Sequence, residues 1–118
     1  MKKVTIKRSK WMRGTGGGVL WHKETNTGCC LGHICKQISR KTEAELEGNH
    51  NPVDVLKGAS VMTNATYDDY FHKWNVEDKP FIVEAIIIND KVDMLETDRE
   101  QQLKTLFRKN GIEVKFVD

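Results

Sequence analysis

Hydrophobic and polar residues alternate at both ends of the chain. Near the start, Val4 and Ile6 are separated by a single polar residue, and near the end Ile112, Val114 and Phe116 occupy every second position. A period of two places hydrophobic side chains on one face of a β-strand and the intervening ones on the other. The pattern therefore predicts a strand at each end of the chain.

Two segments between these strands repeat their hydrophobic residues with the period of an α-helix. The first stripe comprises Leu31, Ile34, Cys35 and Ile38. The second comprises Leu103, Leu106 and Phe107, after residues 97–100, whose Thr-Asp-Arg-Glu sequence is an N-terminal capping box. Gly111 follows at a position where glycine commonly ends a helix. Both segments are predicted to be helices that bury one face.

Three further segments complete the predicted architecture. Pro52 suits the start of a short helix, and an aromatic stripe predicts another helix, formed by Tyr67, Tyr70, Phe71 and Trp74. The isoleucine-rich run from Pro80 to Asp90 is compatible with a strand, but its length and its first-turn proline favour a buried helix. We expect an α+β fold, with a small antiparallel sheet packed with three to four helices in a single domain spanning residues 1–118.

The composition indicates a globular protein of the cytoplasm. Hydrophobic residues make up 38% of the chain and charged residues 31%, and no apolar run approaches the ~18 residues of a membrane span. The basic start has no apolar core behind it, unlike a signal peptide. The three cysteines are an odd number, which argues for a reducing compartment. We expect no membrane association and no cofactor.

The net charge of +2 conceals a strong asymmetry along the chain. Residues 1–42 contain ten Lys or Arg and one acid, a formal charge of +9, whereas residues 43–118 contain nine bases and sixteen acids, a formal charge of −7. The basic part points to an anionic partner. This partner could be an anionic small molecule such as a nucleotide, or it could be a nucleic acid or an acidic host protein. Alternatively, both parts pack together and their charges intermingle. Opposite charges also permit a homo-oligomer, without requiring one.

Candidate ligand-binding residues surround a glycine-rich loop. Residues 14–18 read Gly-Thr-Gly-Gly-Gly, and their backbone N–H groups could cradle an anion. The Gly-Lys-Ser/Thr ending of a Walker loop is absent, so a plain loop is the alternative. Asn89 and Asp90 could hold a ligand hydroxyl or form a turn. The candidates are Lys10, Trp11, Arg13, Gly16, Gly17, His22, Asn89 and Asp90.

Residues 29–35, Cys-Cys-Leu-Gly-His-Ile-Cys, allow three interpretations. Cys29 or Cys30, in the first turn of a helix, could be a nucleophile whose thiolate is stabilised by the helix dipole, with His22, His50 or His72 as general base. Cys29 and His33, four residues apart on the face opposite the hydrophobic stripe, could bind zinc, although no CxxC motif accompanies them. In the third interpretation the cysteines are small packing residues, and Gly32 permits close approach of a neighbouring segment.

Several segments, in this order, resemble a loose family of small uncharacterised proteins from tailed bacteriophages and prophages. The matching segments are residues 10–14, 29–35, 89–90 and the tail from Arg99 to Phe116. The Cys-Cys-Leu-Gly motif is the most distinctive of them. Family members usually carry an aromatic or aliphatic residue at the position of His33, which weakens a family-wide catalytic or zinc role there. The resemblance implies a phage origin, and therefore the host cytoplasm, but no mechanism.

These observations favour binding over catalysis. We expect a phage-encoded accessory binding protein, acting for instance in counter-defence, whose basic N-terminal third engages a nucleotide-like anion or a host protein. Such binding should be sensitive to salt and lost when Lys10 and Arg13 are reversed in charge. The alternative is a cysteine-dependent hydrolase or transferase built on Cys29 or Cys30, which requires an unusually reactive thiol.

Overall fold

The computed structural model describes residues 2–15, 19–49 and 81–118. Within these ranges the fold is α+β, as predicted, and none of the helices is long and apolar enough to cross a membrane. The predicted helices at Pro52 and at Tyr67–Trp74 lie outside the described residues, as do Gly16 and Gly17. The elements are β1 (Lys2–Lys7), α1 (Cys30–Gln37), α2 (Glu43–Leu46), α3 (Phe81–Asp90), α4 (Glu96–Lys109) and β2 (Ile112–Val117), with a 3₁₀ turn (Arg8–Lys10) directly after β1.

The two strands form a parallel pair, with Lys2 opposite Ile112 and Lys7 opposite Val117. The prediction of an antiparallel sheet was therefore wrong. Hydrophobic alternation identifies a strand with one exposed face but is the same for either direction, and such sheets are more often antiparallel. The direction of β2 is set where it follows α4. The helix α4 packs on β2, and after the turn at Gly111 (φ 83°) the strand β2 runs parallel to β1.

The core lies between the inner face of the sheet and the helices α1 and α4. The predicted stripes of both helices are buried in it, with only Ile38 at its margin. The helix α1 is buried on more than its stripe, because the segment containing Leu20 and Trp21 packs on its other side. A Cβ on Gly32 would lie 1.8 Å from the Leu20 carbonyl oxygen, so the predicted close approach is confirmed. His33, on the face opposite the predicted stripe, is consequently buried as well.

The junction between α3 and α4 is fastened by a buried arginine. Arg99 is 1% exposed, and its Nη1 donates to the carbonyl oxygens of Ile88 (2.7 Å) and Asn89 (2.9 Å) at the end of α3. A cation at this position satisfies carbonyls that the helix leaves unpaired. The prediction that residues 80–90 form a helix is confirmed for α3. The predicted capping box at residues 97–100 was wrong, because α4 begins at Glu96 after Leu95, without a side-chain cap.

The short helix α2 was not predicted, although its signal is present in the sequence. The Thr42 hydroxyl accepts from the Glu45 backbone N–H (3.2 Å), and the Glu45 carboxylate accepts from the Thr42 N–H (3.0 Å). This is a capping box, which supports a single helical turn after α1.

Candidate anion-binding cleft

A cleft of about 210 Å³ opens where β1, the 3₁₀ turn and α1 meet. We call it the basic cleft, because Lys7, Lys10 and Lys36 line it together with a single carboxylate, Glu43. Among the described residues, neither Lys7 nor Lys10 forms an ion pair. The remaining lining residues are Thr5, Trp21, Asn26, His33 and Gln37.

One side of α1 forms a wall of the cleft. His33, Lys36 and Gln37 follow the i, i+3, i+4 spacing that places side chains on one helix face. Gln37 fastens this wall to β1, because its Nε2 donates to the Thr5 carbonyl (2.6 Å) and its Oε1 accepts from the Thr5 N–H (2.9 Å). The amide thereby satisfies backbone groups that the edge of the two-stranded sheet would otherwise expose.

The two ends of the cleft differ in charge. Lys36 Nζ lies 2.6 Å from Glu43 Oε2 and 3.9 Å from the centre of the Trp21 ring, so this ammonium is held in place and partly neutralised. A neighbouring depression, lined by Lys23, Glu43 and Glu47 with other residues, carries more acid than base. The positive potential is therefore concentrated at the opposite end, at Lys7 and Lys10.

His33 supports the cleft as a neutral side chain. Its Nε2 donates to the Lys10 carbonyl oxygen (2.8 Å), and its ring lies edge-on to Trp21 with centroids 5.5 Å apart. Burial lowers the pKa of His33, because the charged imidazolium loses its hydration. The histidine holds the backbone of Lys10 and leaves the ammonium of that residue in the cleft.

The structure places Trp11 and Arg13, two predicted ligand-binding residues, in internal contacts. Trp11 is 3% exposed and its Nε1 donates to Asn89 Oδ1 (2.7 Å). Arg13 covers the Trp11 ring, with its guanidinium carbon 4.4 Å from the centroid, and pairs with Glu96. Trp11 thereby holds the N-terminal segment on α3 and Arg13 holds it on α4, so of the Lys10/Arg13 pair only Lys10 contributes a charge to the basic cleft.

Asn89 occupies the centre of a buried hydrogen-bond network. Its Oδ1 accepts from Trp11 Nε1 and from the Cys30 backbone N–H (3.0 Å), while its Nδ2 donates to the Met12 carbonyl and to Asp90 Oδ1 (both 2.9 Å). These four bonds use the full capacity of a side-chain amide. Asn89 therefore joins α3, α1 and the N-terminal segment, and the predicted ligand-binding residues Asn89 and Asp90 lie away from the lining of the basic cleft.

The cysteines that formed the catalytic alternative are buried. Cys29 stands at the N-cap position of α1, and its burial raises the pKa of the thiol to about 11. The backbone N–H groups of Gly32 and Leu31 lower this pKa, but their effect is smaller than that of burial. Burial also raises the pKa of Cys30 well above its usual value. Of the three proposed bases, His22 is hydrogen-bonded through Nδ1 with Thr25 (3.1 Å), and His50 and His72 lie outside the described residues. This arrangement does not favour an activated nucleophile.

The zinc alternative also receives no support from the described residues. Cys29 and His33 are linked through the backbone of α1, where the His33 N–H donates to the Cys29 carbonyl (3.3 Å). The ring of His33 already donates to Lys10. No group of three or more His, Cys, Asp or Glu suited to a metal ion occurs in the part of the chain that the structure describes.

Of the residues that line the cleft, only Lys10 and His33 were singled out from the sequence, and Lys7, Lys36 and Gln37 were among those missed. The spacing of Lys36 and Gln37 from His33 was a usable signal for a shared face, but nothing local indicated that this face meets β1. A comparison of the chain with known protein families, curated proteins and solved structures finds no significant match. The case for a function therefore comes from the geometry and charge of the basic cleft.

Proposed function

We propose that this protein is an accessory binding protein whose basic cleft takes a phosphate-bearing ligand. The observation that carries the proposal is that Lys7 and Lys10 line one cleft and form no ion pair with any described residue. Ammonium groups of this kind bind phosphate oxygens as point charges. The resemblance to phage proteins supplies a setting, in which such a ligand would be a host nucleotide or nucleic acid engaged in counter-defence.

The division of the N-terminal charges supports this choice of residues. Arg8 pairs with Glu100 and Asp118, and Arg13 pairs with Glu96, so part of the basic excess is neutralised by the acidic part of the chain. The expectation that the charges intermingle therefore applies to these arginines. The charge that is left for a ligand in the cleft comes from Lys7 and Lys10, which pair with no described acid.

The proposal is tested by titrating ATP, as a probe with several phosphates, into the ¹⁵N-labelled protein. We expect amide shifts in residues 7–10 and 33–37, and at least tenfold weaker binding in the variant K7E/K10E. An ammonium about 4 Å from a phosphate oxygen contributes about 1 kcal/mol in water, so two sign reversals can cost a few kcal/mol before screening.

The matched control is K91E/K109E, which changes the net charge equally at exposed positions outside the cleft. This variant should bind ATP within about threefold of the unmodified protein, since charges beyond a Debye length are largely screened. Equal losses in the two variants would show that only net charge matters. Unchanged binding in K7E/K10E would remove the basis for the proposed function.

A further inference from the structure

A second basic surface lies where β1 and β2 meet α4. Lys3, Lys104, Arg108 and Lys115 line a depression of about 500 Å³ with one acid, Glu113. Glu113 is shared between Lys3 and Arg108, at 4.0 Å from each, and half or more of those two basic side chains is exposed. This surface, which we call the sheet face, comes mainly from the acidic part of the sequence.

The sheet face is continuous with the basic cleft. Thr5 lines both, and the parallel register places Lys115 directly opposite Thr5. Lys3 and Lys7 lie two residues to either side of Thr5 and point to the same face, about 13 Å apart at the rise of a β-strand. The basic track, as we call the combined surface, comprises Lys3, Lys7, Lys10, Lys36, Lys104, Arg108 and Lys115.

The basic track concentrates the positive charge of the protein. Its seven bases and its two acids, Glu43 and Glu113, give a formal charge of +5. Because the whole chain is +2, all other residues together sum to −3. Such a track on an otherwise acidic molecule fits a polyanion better than a single small anion, since several phosphates can be neutralised at once.

Among the residues that the structure describes, the track offers no open aromatic ring for stacking a base. Trp21 is 2% exposed and covered by the Lys36 ammonium, and the outward positions of the sheet are Lys, Thr, Glu and Val. Proteins that hold single strands commonly stack bases on aromatic side chains, whereas a duplex hides its bases and presents phosphates. The chemistry of the track therefore matches a duplex backbone, and the distance of about 13 Å between Lys3 and Lys7 lets the two ammonium groups meet different phosphates.

We infer that the basic track binds the phosphate backbone of double-stranded nucleic acid without reading its sequence. The inference rests on the proposed function, because the basic cleft forms one end of the track. Beyond the proposed function, the inference assigns a binding role to the residues of the sheet face, names a polymeric ligand and states that the protein does not distinguish between bases. With about five phosphates neutralised, log K should fall with log salt at a slope of about −4.5, roughly a 500-fold loss between 50 and 200 mM.

The test measures fluorescence anisotropy of a labelled 20-base-pair DNA duplex from 50 to 200 mM NaCl. We expect K104E/R108E to weaken binding at least tenfold and to lower the salt slope by about two. The variant K104Q/R108Q, which introduces no acid, should show a smaller loss in the same direction. K91E/K109E is the control, and circular dichroism checks that each variant is folded.

The outcomes separate the inference from the proposed function. If ATP binding depends on Lys7 and Lys10 but duplex binding is unchanged in K104E/R108E, the inference is overturned and the proposed function stands. If the protein does not bind ATP but binds the duplex in a way that depends on the sheet face, the proposed function of the basic cleft is overturned instead. Equal affinity for poly-glutamate of the same charge, or a tenfold preference between duplexes of different sequence, also overturns the inference.

Discussion

Replacing Asn89 by alanine should destabilise the protein far more than an ordinary polar substitution. The change removes all four side-chain hydrogen bonds and leaves two buried donors, the Trp11 indole N–H and the Cys30 backbone N–H, and the partly buried Met12 carbonyl without their partner. An unsatisfied buried group costs about 1–2 kcal/mol here, so we expect a loss of about 3–6 kcal/mol in the free energy of unfolding. Natural domains have only about 5–15 kcal/mol in total.

A double-mutant cycle with W11F isolates the central bond. W11F alone removes the indole donor but leaves Asn89 Oδ1 bonded to the Cys30 N–H (3.0 Å), so its own cost should be about 1–2 kcal/mol. In N89A the indole N–H is stranded, and W11F then removes the stranded group. The double variant should therefore be more stable than the sum of the single losses predicts, by about 1–2 kcal/mol.

The assay is urea unfolding followed by far-UV circular dichroism, which does not depend on the fluorescence of the altered tryptophan. Gln102 carries an exposed side-chain amide on α4, and Q102A is the control, which should stay within about 0.5 kcal/mol of the unmodified protein. A loss below about 1 kcal/mol in N89A, or strictly additive effects of N89A and W11F, would refute the assignment of Asn89 as the residue that joins three segments.

Three further perturbations test other parts of the structure. Because burial raises the pKa of Cys29 from 9.0 to about 11, its thiolate fraction at pH 8 should be about 100-fold below that of a model thiol. Iodoacetamide should then label the folded protein slowly and the urea-unfolded protein fast, and rapid labelling when folded would contradict this. In G32A the new Cβ meets the Leu20 carbonyl at 1.8 Å, whereas in G48A it has open space but a φ of +74°. Thermal unfolding should therefore show a loss above about 3 kcal/mol for G32A and about 1 kcal/mol for G48A, and equal losses would refute the steric account. Burial lowers the pKa of His33 below 6.5, so the unfolded state takes up the proton first as pH falls. The free energy of unfolding should decrease below pH 6.5 by at most about 1.4 kcal/mol per pH unit, and H33Q should remove that component in urea titrations at pH 5 and 7.5. An unchanged pH dependence in H33Q would argue against a buried neutral imidazole.

The sequence predicted the elements better than their arrangement. Local periodicity was sufficient for β1, β2, α1 and the body of α4, because each buries one face and its pattern repeats within a few residues. The direction of the strand pair was not predictable in this way, since it depends on how the whole chain returns from Lys7 to Ile112. The helix α2 was missed although the capping box at Thr42 and Glu45 was a readable local signal.

The positive charge of the candidate site was predicted, but of the predicted ligand-binding residues only Lys10 lines it. The excess of bases in residues 1–42 led to an anionic ligand, yet a count cannot show which bases are already paired. Arg13 and Glu96 are 83 residues apart in sequence, and Trp11 and Asn89 are 78 apart. Contacts over such separations are decided by tertiary packing, so Trp11 and Asn89 had the appearance of ligand-binding residues when only their neighbours in sequence were considered.

The chemistry of the two basic side chains explains why the surface charge comes mainly from lysine. A guanidinium presents several donors in a fixed plane, which suits carboxylates and clustered carbonyls inside a fold. Arg8 donates from Nε and Nη2 to both carboxylate oxygens of Glu100 (2.9 Å each), and Arg99 bonds two carbonyls at the end of α3. A lysine ammonium is a strongly hydrated point charge on a flexible stem, and it can follow phosphates without a fixed geometry. Six of the seven bases of the basic track are lysines, whereas Arg8 and Arg13 fasten the N-terminal segment to α4 and Arg99 fastens α3 to α4. This distribution is the one expected if the arginines hold the scaffold together while the lysines meet a ligand through its charge rather than its shape.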